Sequence, residues 1–187
     1  MKVYTRTGDD GTTGLLFGGR APKDGPVHRA SGDVDEAQAA LGVARAEAER
    51  GSELDELLVR LERELYVLGA ELATAPGNRG KLQPGVTLVN DDMVAALEAA
   101  IDDVSARFDS PREFVIPGQD RVSASLDLAR TVVRRAERTA IAAAPDGSRI
   151  VPYLNRLSDL VWTLARWQEA LHGARLPSKE KNRKGEA

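Results

Sequence analysis

The stretch QDRVSASLDLARTVVRRAERTAIAAA, residues 119–144, decides how the chain folds. Within it Val122, Leu126, Ala129, Val133, Ala136 and Ala140 alternate in steps of four and three, which places them on one stripe of a helix. A stripe of this kind is what a helix in a bundle buries. Arg130, Arg134 and Glu137 share a second stripe beside the apolar seam, flanked by Arg135 and Arg138.

Four further segments read the same way. The first helix is expected from about Asp33 to Arg50, with Asp33 and Glu36 at capping-box spacing. The second is expected from about Ser52 to Ala73, on Leu54, Leu57, Leu58, Leu61, Leu65, Leu68 and Leu72. Ser52 is its cap, and Pro76-Gly77 stops it. A glycine-rich loop follows. The third helix runs from about Asp91 to Phe108, with Val94, Leu97, Ile101, Val104 and Phe108 inward. A short extended piece, residues 113–116, precedes Pro117-Gly118. The fifth helix runs from about Val151 to Ala174, with Leu154, Leu157, Val161, Leu164 and Leu171 inward. Long helices joined by short loops predict an all-α, five-helix antiparallel bundle.

The ends differ from the middle. Residues 1–32 are rich in Gly, Thr and Asp and show no helical period. Residues 175–187 are polar and basic and read as a mobile tail. One domain over 1–187 is expected, with the bundle at 33–174.

At 187 residues, folding buries roughly 70% of the unfolded surface. Lys+Arg 26 against Asp+Glu 29 gives a net charge of -3, which is no footprint for a nucleic-acid binder. The absence of cysteine excludes disulfides, thiolate metal sites and cysteine nucleophiles. No signal-peptide pattern or membrane-length apolar run is present, so a cytoplasmic, soluble chain is expected, with no membrane partner.

Several constellations carry possible chemistry. The loop TRTGDDGTTG, residues 5–14, offers glycines, hydroxyls and an arginine, and backbone N–H groups around glycine cradle phosphate oxygens. It lacks the Gly-Lys-Ser/Thr of a Walker loop. Arg20, Lys23 and Arg29 follow as the nearest cations. A flexible terminus with solvated charges is the competing reading. Asp35, Ala39, Gly42 and Ala46 share one face, so Asp35 is placed either to meet a cation on a neighbouring helix or simply to favour the helix dipole near its start. The arginines at 130–138 fit phosphate or carboxylate oxygens, or a solvated face. Asn155, Asp159, Trp162 and Arg166 read as a partly buried polar network or a surface face. Phe114 either plugs the end of the bundle or projects into a pocket; on its residues alone the plug is the simpler reading. Glu169-x-x-His172 resembles half of a di-iron motif, but His28 is the only other histidine, so no metal site is expected.

Four stretches together resemble the PduO-type ATP:cob(I)alamin adenosyltransferases: YTRTGDDGTTGL (4–15), GDVDE (32–36), FVIPGQDRVSASLDLARTVVRRAER (114–138) and YLNRLSDLVWTLAR (153–166). The resemblance implies a five-helix bundle assembled as a homotrimer, with ATP held between subunits. It implies that Thr5, Arg6, Thr7, Gly8, Gly11 and Thr12 wrap ATP and that Arg20 and Lys23 approach its phosphates. By the same resemblance Arg134 and Asn155 contact the nucleotide, with Arg135 and Glu137 close by. Asp35 and Arg130 would form an ion pair at the subunit interface, and Phe114 would lie below the corrin ring. Asp35, Phe114, Arg130 and Arg134 are thus the catalytic candidates. ATP, Mg2+ and cob(I)alamin are the implied ligands, and a flavoprotein reductase and an adenosylcobalamin-dependent acceptor enzyme are candidate partners. Departures occur at Asp10, where the family commonly has Lys, at Ser31, at Ala37-Gln38 and at Gln119. A non-catalytic ATP-gated corrinoid carrier and a helical interaction module are the alternatives.

Overall fold

A computed structural model describes residues 4–173. It is mostly helical, with α1 Pro26–Glu47, α2 Glu53–Leu72, a 3-10 turn at Pro76–Lys81, α3 Asp91–Ser105, α4 Arg121–Ala140 and α5 Ile150–Leu171. Two short strands, β1 Thr12–Gly14 and β2 Arg20–Pro22, pair antiparallel with Thr13 opposite Ala21. No helix among the described residues is long and apolar enough to cross a membrane.

The helix starts follow local chemistry. Ser52 Oγ accepts from Asp55 N at the head of α2, and Asn90 Oδ1 accepts from Met93 N at the head of α3. Asp120 Oδ1 accepts from Ser123 N at 2.9 Å and starts α4, the helix that carries the arginines. Asp120→Ala is expected to cost about 0.5–2 kcal/mol of stability, readable as a lowered denaturation midpoint with an unchanged m-value.

The start of α1 departs from expectation. The helix begins at Pro26, behind an extended Gly25, because proline supplies a helical φ and lacks only an N–H that the first turn leaves unpaired anyway. Asp33 and Glu36 are therefore not a capping box; they lie inside α1 and both pair with Arg135 of α4. Asp35 likewise sits beyond the first two turns, away from the positive end of the helix. Residues 26–32, read as irregular, are helical. Other ends shift less: α3 stops at Ser105 while Phe108 still packs on the core, and residues 141–144 leave α4 as turns.

The helices neighbour one another in the order α2, α1, α4, α5, α3. The expected α4 stripe from Val122 to Ala140 is buried throughout, and Leu154, Leu157, Val161 and Leu164 of α5 are fully buried. Leu171, expected inward, is 62% exposed, because it lies on the outer side of the last turn of α5, whose buried side is formed by Gln168 and Glu169. The hairpin is tied to the end of α2: Leu16 N donates to Ala73 O at 2.8 Å, and Asn78 Nδ2 donates to Phe17 O.

Candidate functional site

The N-terminal loop is laced to the hairpin by its own cations. Arg20 Nε donates to Thr12 Oγ1 at 2.8 Å, and its Nη2 reaches the Thr7 carbonyl and the Asp10 carboxylate. Lys23 Nζ donates to Gly8 O at 2.7 Å. A Cβ at Gly8 would stand 2.9 Å from that Nζ and 3.1 Å from Thr12 O, so a larger residue would have to push the lysine aside and crowd the Thr12 carbonyl. Gly11 turns the loop at φ +80. Asp10, the departure from the family pattern, braces its own loop, where its Oδ1 accepts from both the N–H and the Oγ1 of Thr12. Those bonds, then Arg20, hold its carboxyl below the usual range. Thr5 and Thr7 hydroxyls bond each other at 2.8 Å, and the Arg6 guanidinium lies 5.5 Å from the Tyr4 ring.

On α4 the arginines divide by partner. Arg134 is exposed and has no hydrogen bond or ion pair among the described residues. Arg135 is engaged with Asp33 and Glu36 of α1, the Glu36 contact raising its already high pKa most. Arg130 is partly exposed and pairs with Asp127 at 3.5 Å. Across the groove, Asn155 Nδ2 of α5 donates to Glu137 Oε1 at 2.9 Å. Arg134 and Glu137 are one turn apart on the same face of α4, so this pair and the free guanidinium adjoin.

Asp35 and Arg130 do not pair within the chain. Asp35 lies on an exposed face of α1 with Ala39 and Ala46. Phe114 is fully exposed, so it does not plug the end of this chain's bundle. Asn155 and Arg166, whose shared stripe reads as one polar network or as a surface face, belong to two separate networks, and Asp159 between them is exposed.

The sequence profile of the cobalamin adenosyltransferase family matches residues 3–168. The chain belongs to this family. The corrinoid adenosyltransferase of Mycobacterium tuberculosis is 41% identical over 170 residues, which cover 88% of this chain and 87% of that protein. A corrinoid adenosyltransferase of Citrobacter freundii is 41% identical over 173 residues, covering 90% of this chain and 95% of that protein. A variant of a PduO-type ATP:corrinoid adenosyltransferase from Lactobacillus reuteri, complexed with cobalamin and ATP, superposes with a TM-score of 0.81 at 25% identity, covering 94% of this chain and 97% of that one.

This cobalamin adenosyltransferase fold contains two buried charged clusters whose carboxylates Glu71 and Asp127 sequence reading did not single out. Arg166 is buried between Asp127 and Glu169, its Nη2 2.5 Å from Asp127 Oδ2 and its Nε 2.8 Å from Glu169 Oε2. Burial pushes the Glu169 carboxyl above its usual range, with Arg166 pulling the other way. Glu71, fully buried, accepts from Arg79 Nη2, Ser148 Oγ and Val89 N, joining the 3-10 turn to the approaches of α3 and α5. The signal for both was a carboxylate inside an apolar run: Glu71 between Leu68 and Leu72, and Asp127 between Leu126 and Ala129.

Proposed function

We propose that the chain is a corrinoid adenosyltransferase that moves the 5'-deoxyadenosyl group of ATP onto the cobalt of cob(I)alamin, releasing triphosphate. The observation that carries this reading is the family match along residues 3–168. The free guanidinium of Arg134 beside the Glu137–Asn155 pair supports it, as a place where an anionic nucleotide meets an uncommitted donor.

Cob(I)alamin is the nucleophile. Its cobalt gives an electron pair to C5', the C5'–O bond breaks, and triphosphate leaves with that bond's pair. No protein nucleophile is needed; the chain positions the reactants and neutralises the departing charge. Arg134, Arg20, Lys23 and Arg6 are assigned to the triphosphate, with Thr5, Thr7, Gly8, Gly11 and Thr12 wrapping the nucleotide. Arg20 and Lys23 already satisfy loop oxygens, so triphosphate must share or displace those bonds. Arg135 braces α4 against α1 beside the nucleotide.

We assign the protein to a single domain, an antiparallel five-helix bundle assembled as a homotrimer, with ATP between adjacent subunits. The exposed Asp35 face of α1, with Val43 53% and Leu128 of α4 59% exposed, supplies a partly apolar surface for that contact. Asp35 of one subunit pairs there with Arg130 of the next. Phe114, projecting from the loop before α4, takes the lower face of the corrin. An apolar ring cannot coordinate cobalt, so it favours the four-coordinate Co(II) that is easier to reduce. A flavoprotein reductase is the natural electron donor, an adenosylcobalamin-dependent enzyme the acceptor, and the cytoplasm the compartment. Among the described residues no group of three or more His, Cys, Asp or Glu gathers to hold a metal. Mg2+ would enter on the triphosphate oxygens of ATP, since this ion commonly takes substrate phosphates and only one or two protein carboxylates.

The test is an anaerobic incubation with ATP, Mg2+ and chemically reduced cobalamin, following the corrin spectrum and triphosphate together. Equal amounts of adenosylcobalamin and triphosphate are expected. ATP binding without triphosphate release would make the chain a carrier, and the absence of ATP binding would remove the site altogether.

A further inference from the structure

Asn155 lies between two charged side chains that make opposite demands on its amide. Its Nδ2 donates to Glu137 Oε1 at 2.9 Å, and its Oδ1 accepts from Arg156 Nη1 at 2.6 Å. A carboxylate only accepts and a guanidinium only donates. Turning the amide over would set its NH2 against the guanidinium and its oxygen against the carboxylate, losing both bonds at once. The direction of the amide is therefore dictated by the chemistry of its neighbours. Arg156 is itself held, since its Nε donates to Glu98 Oε1 on α3 at 2.9 Å. A relay thus runs Glu98, Arg156, Asn155, Glu137 across α3, α5 and α4.

We propose that Arg156 is a positioning residue for nucleotide binding, acting by fixing which way the Asn155 amide faces. The inference rests on the reading that Asn155 contacts the nucleotide. Glu137 and Arg156 consume one N–H and one lone pair of the amide. The N–H and lone pair that remain then have set directions, and a nucleoside, which carries both donors and acceptors, meets them without an ordering cost at binding. Without Arg156 only Glu137 restrains the amide, and its oxygen loses the partner that fixes it. Arg156 and Glu98 are both substantially exposed, so the relay adds little to folding stability.

The experiment measures ATP affinity by titration without corrinoid, together with melting temperature, in the full chain. Arg156→Met is expected to weaken ATP binding roughly tenfold, the scale of one hydrogen bond to a charged group, with the melting temperature nearly unchanged. Arg156→Lys, still a pure donor, recovers most of the loss, and Arg156→Glu, a pure acceptor, deepens it. In an Asn155→Ala background Arg156→Met adds nothing further. An equal loss in that background, or a lowered melting temperature with intact ATP affinity, would make Arg156 only a brace between α3 and α5 and overturn the proposal. If Asn155→Ala alone leaves ATP affinity intact, the nucleotide role of Asn155 fails and takes the proposal with it.

Discussion

Arg134→Ala is expected to lower the rate of adenosyl transfer by about 100- to 1,000-fold, the loss typical of removing one preorganised donor to a developing negative charge. The melting temperature should stay close to the wild type. Arg134 is exposed and bonds to nothing among the described residues, so no hydrogen bond or ion pair is lost with it. With no partner among these residues, its donors face solvent and are open to a ligand or another subunit. Arg135→Ala is the matched control. It breaks contacts to Asp33 and Glu36, but exposed ion pairs contribute only about 0–1 kcal/mol, and the rate should fall far less. Single-turnover spectra of the corrin, with ATP saturating, separate the two variants. Similar losses in both would place the effect in α4 packing rather than in charge neutralisation at the triphosphate.

The helices were readable because their information is periodic. Each apolar stripe repeats over several turns, so a misread residue changes little; the α4 seam from Val122 to Ala140 is buried as its spacing required. The start of α1 was misread because Asp33 and Glu36 imitate a cap, whereas the real signal was the single dipeptide Gly25-Pro26. The hairpin of Thr12–Gly14 with Arg20–Pro22 was missed for a related reason. Three-residue strands show no alternation to detect, and side-chain bonds from Arg20 to Thr12 and Thr7 hold this one in place.

The site was legible in part. Residue types on α4 announced cations, but spacing did not show that Arg135 is committed to α1 while Arg134 is free. That division depends on which α1 face packs against α4. The fate of Phe114 was beyond local pattern as well. An aromatic residue before Pro117-Gly118 suits a plug, and only the arrangement of helices leaves it in solvent. Asp35 is exposed on α1 and Arg130 turns to Asp127 at 3.5 Å, so no contact among the described residues marks the two as a pair.

Arg166→Met should be the most destabilising change in the core, costing about 3–5 kcal/mol, the range for removing one member of a buried ion pair. For a chain of this size that corresponds to a fall in melting temperature of roughly 6–20 °C. The arginine is 3% exposed and bonded to both Asp127 and Glu169. Without it two carboxylates remain in the core beside each other, and Arg130, 3.5 Å from Asp127, compensates only one of them. The pH dependence has a definite sign. Burial already raises the Glu169 pKa, and losing the adjacent cation raises it further. A carboxyl whose folded pKa lies above its unfolded value binds protons more tightly in the native state, so stability falls as pH rises through that window. The deficit of Arg166→Met should therefore be greatest near neutral pH and shrink on acidification towards the ordinary carboxylate range. Adding Glu169→Gln removes one buried charge and should restore part of the loss at neutral pH. A pH-independent deficit, with no rescue by glutamine, would assign the loss to the shape of the arginine and its stacking 5.8 Å from the Trp162 ring rather than to its charge.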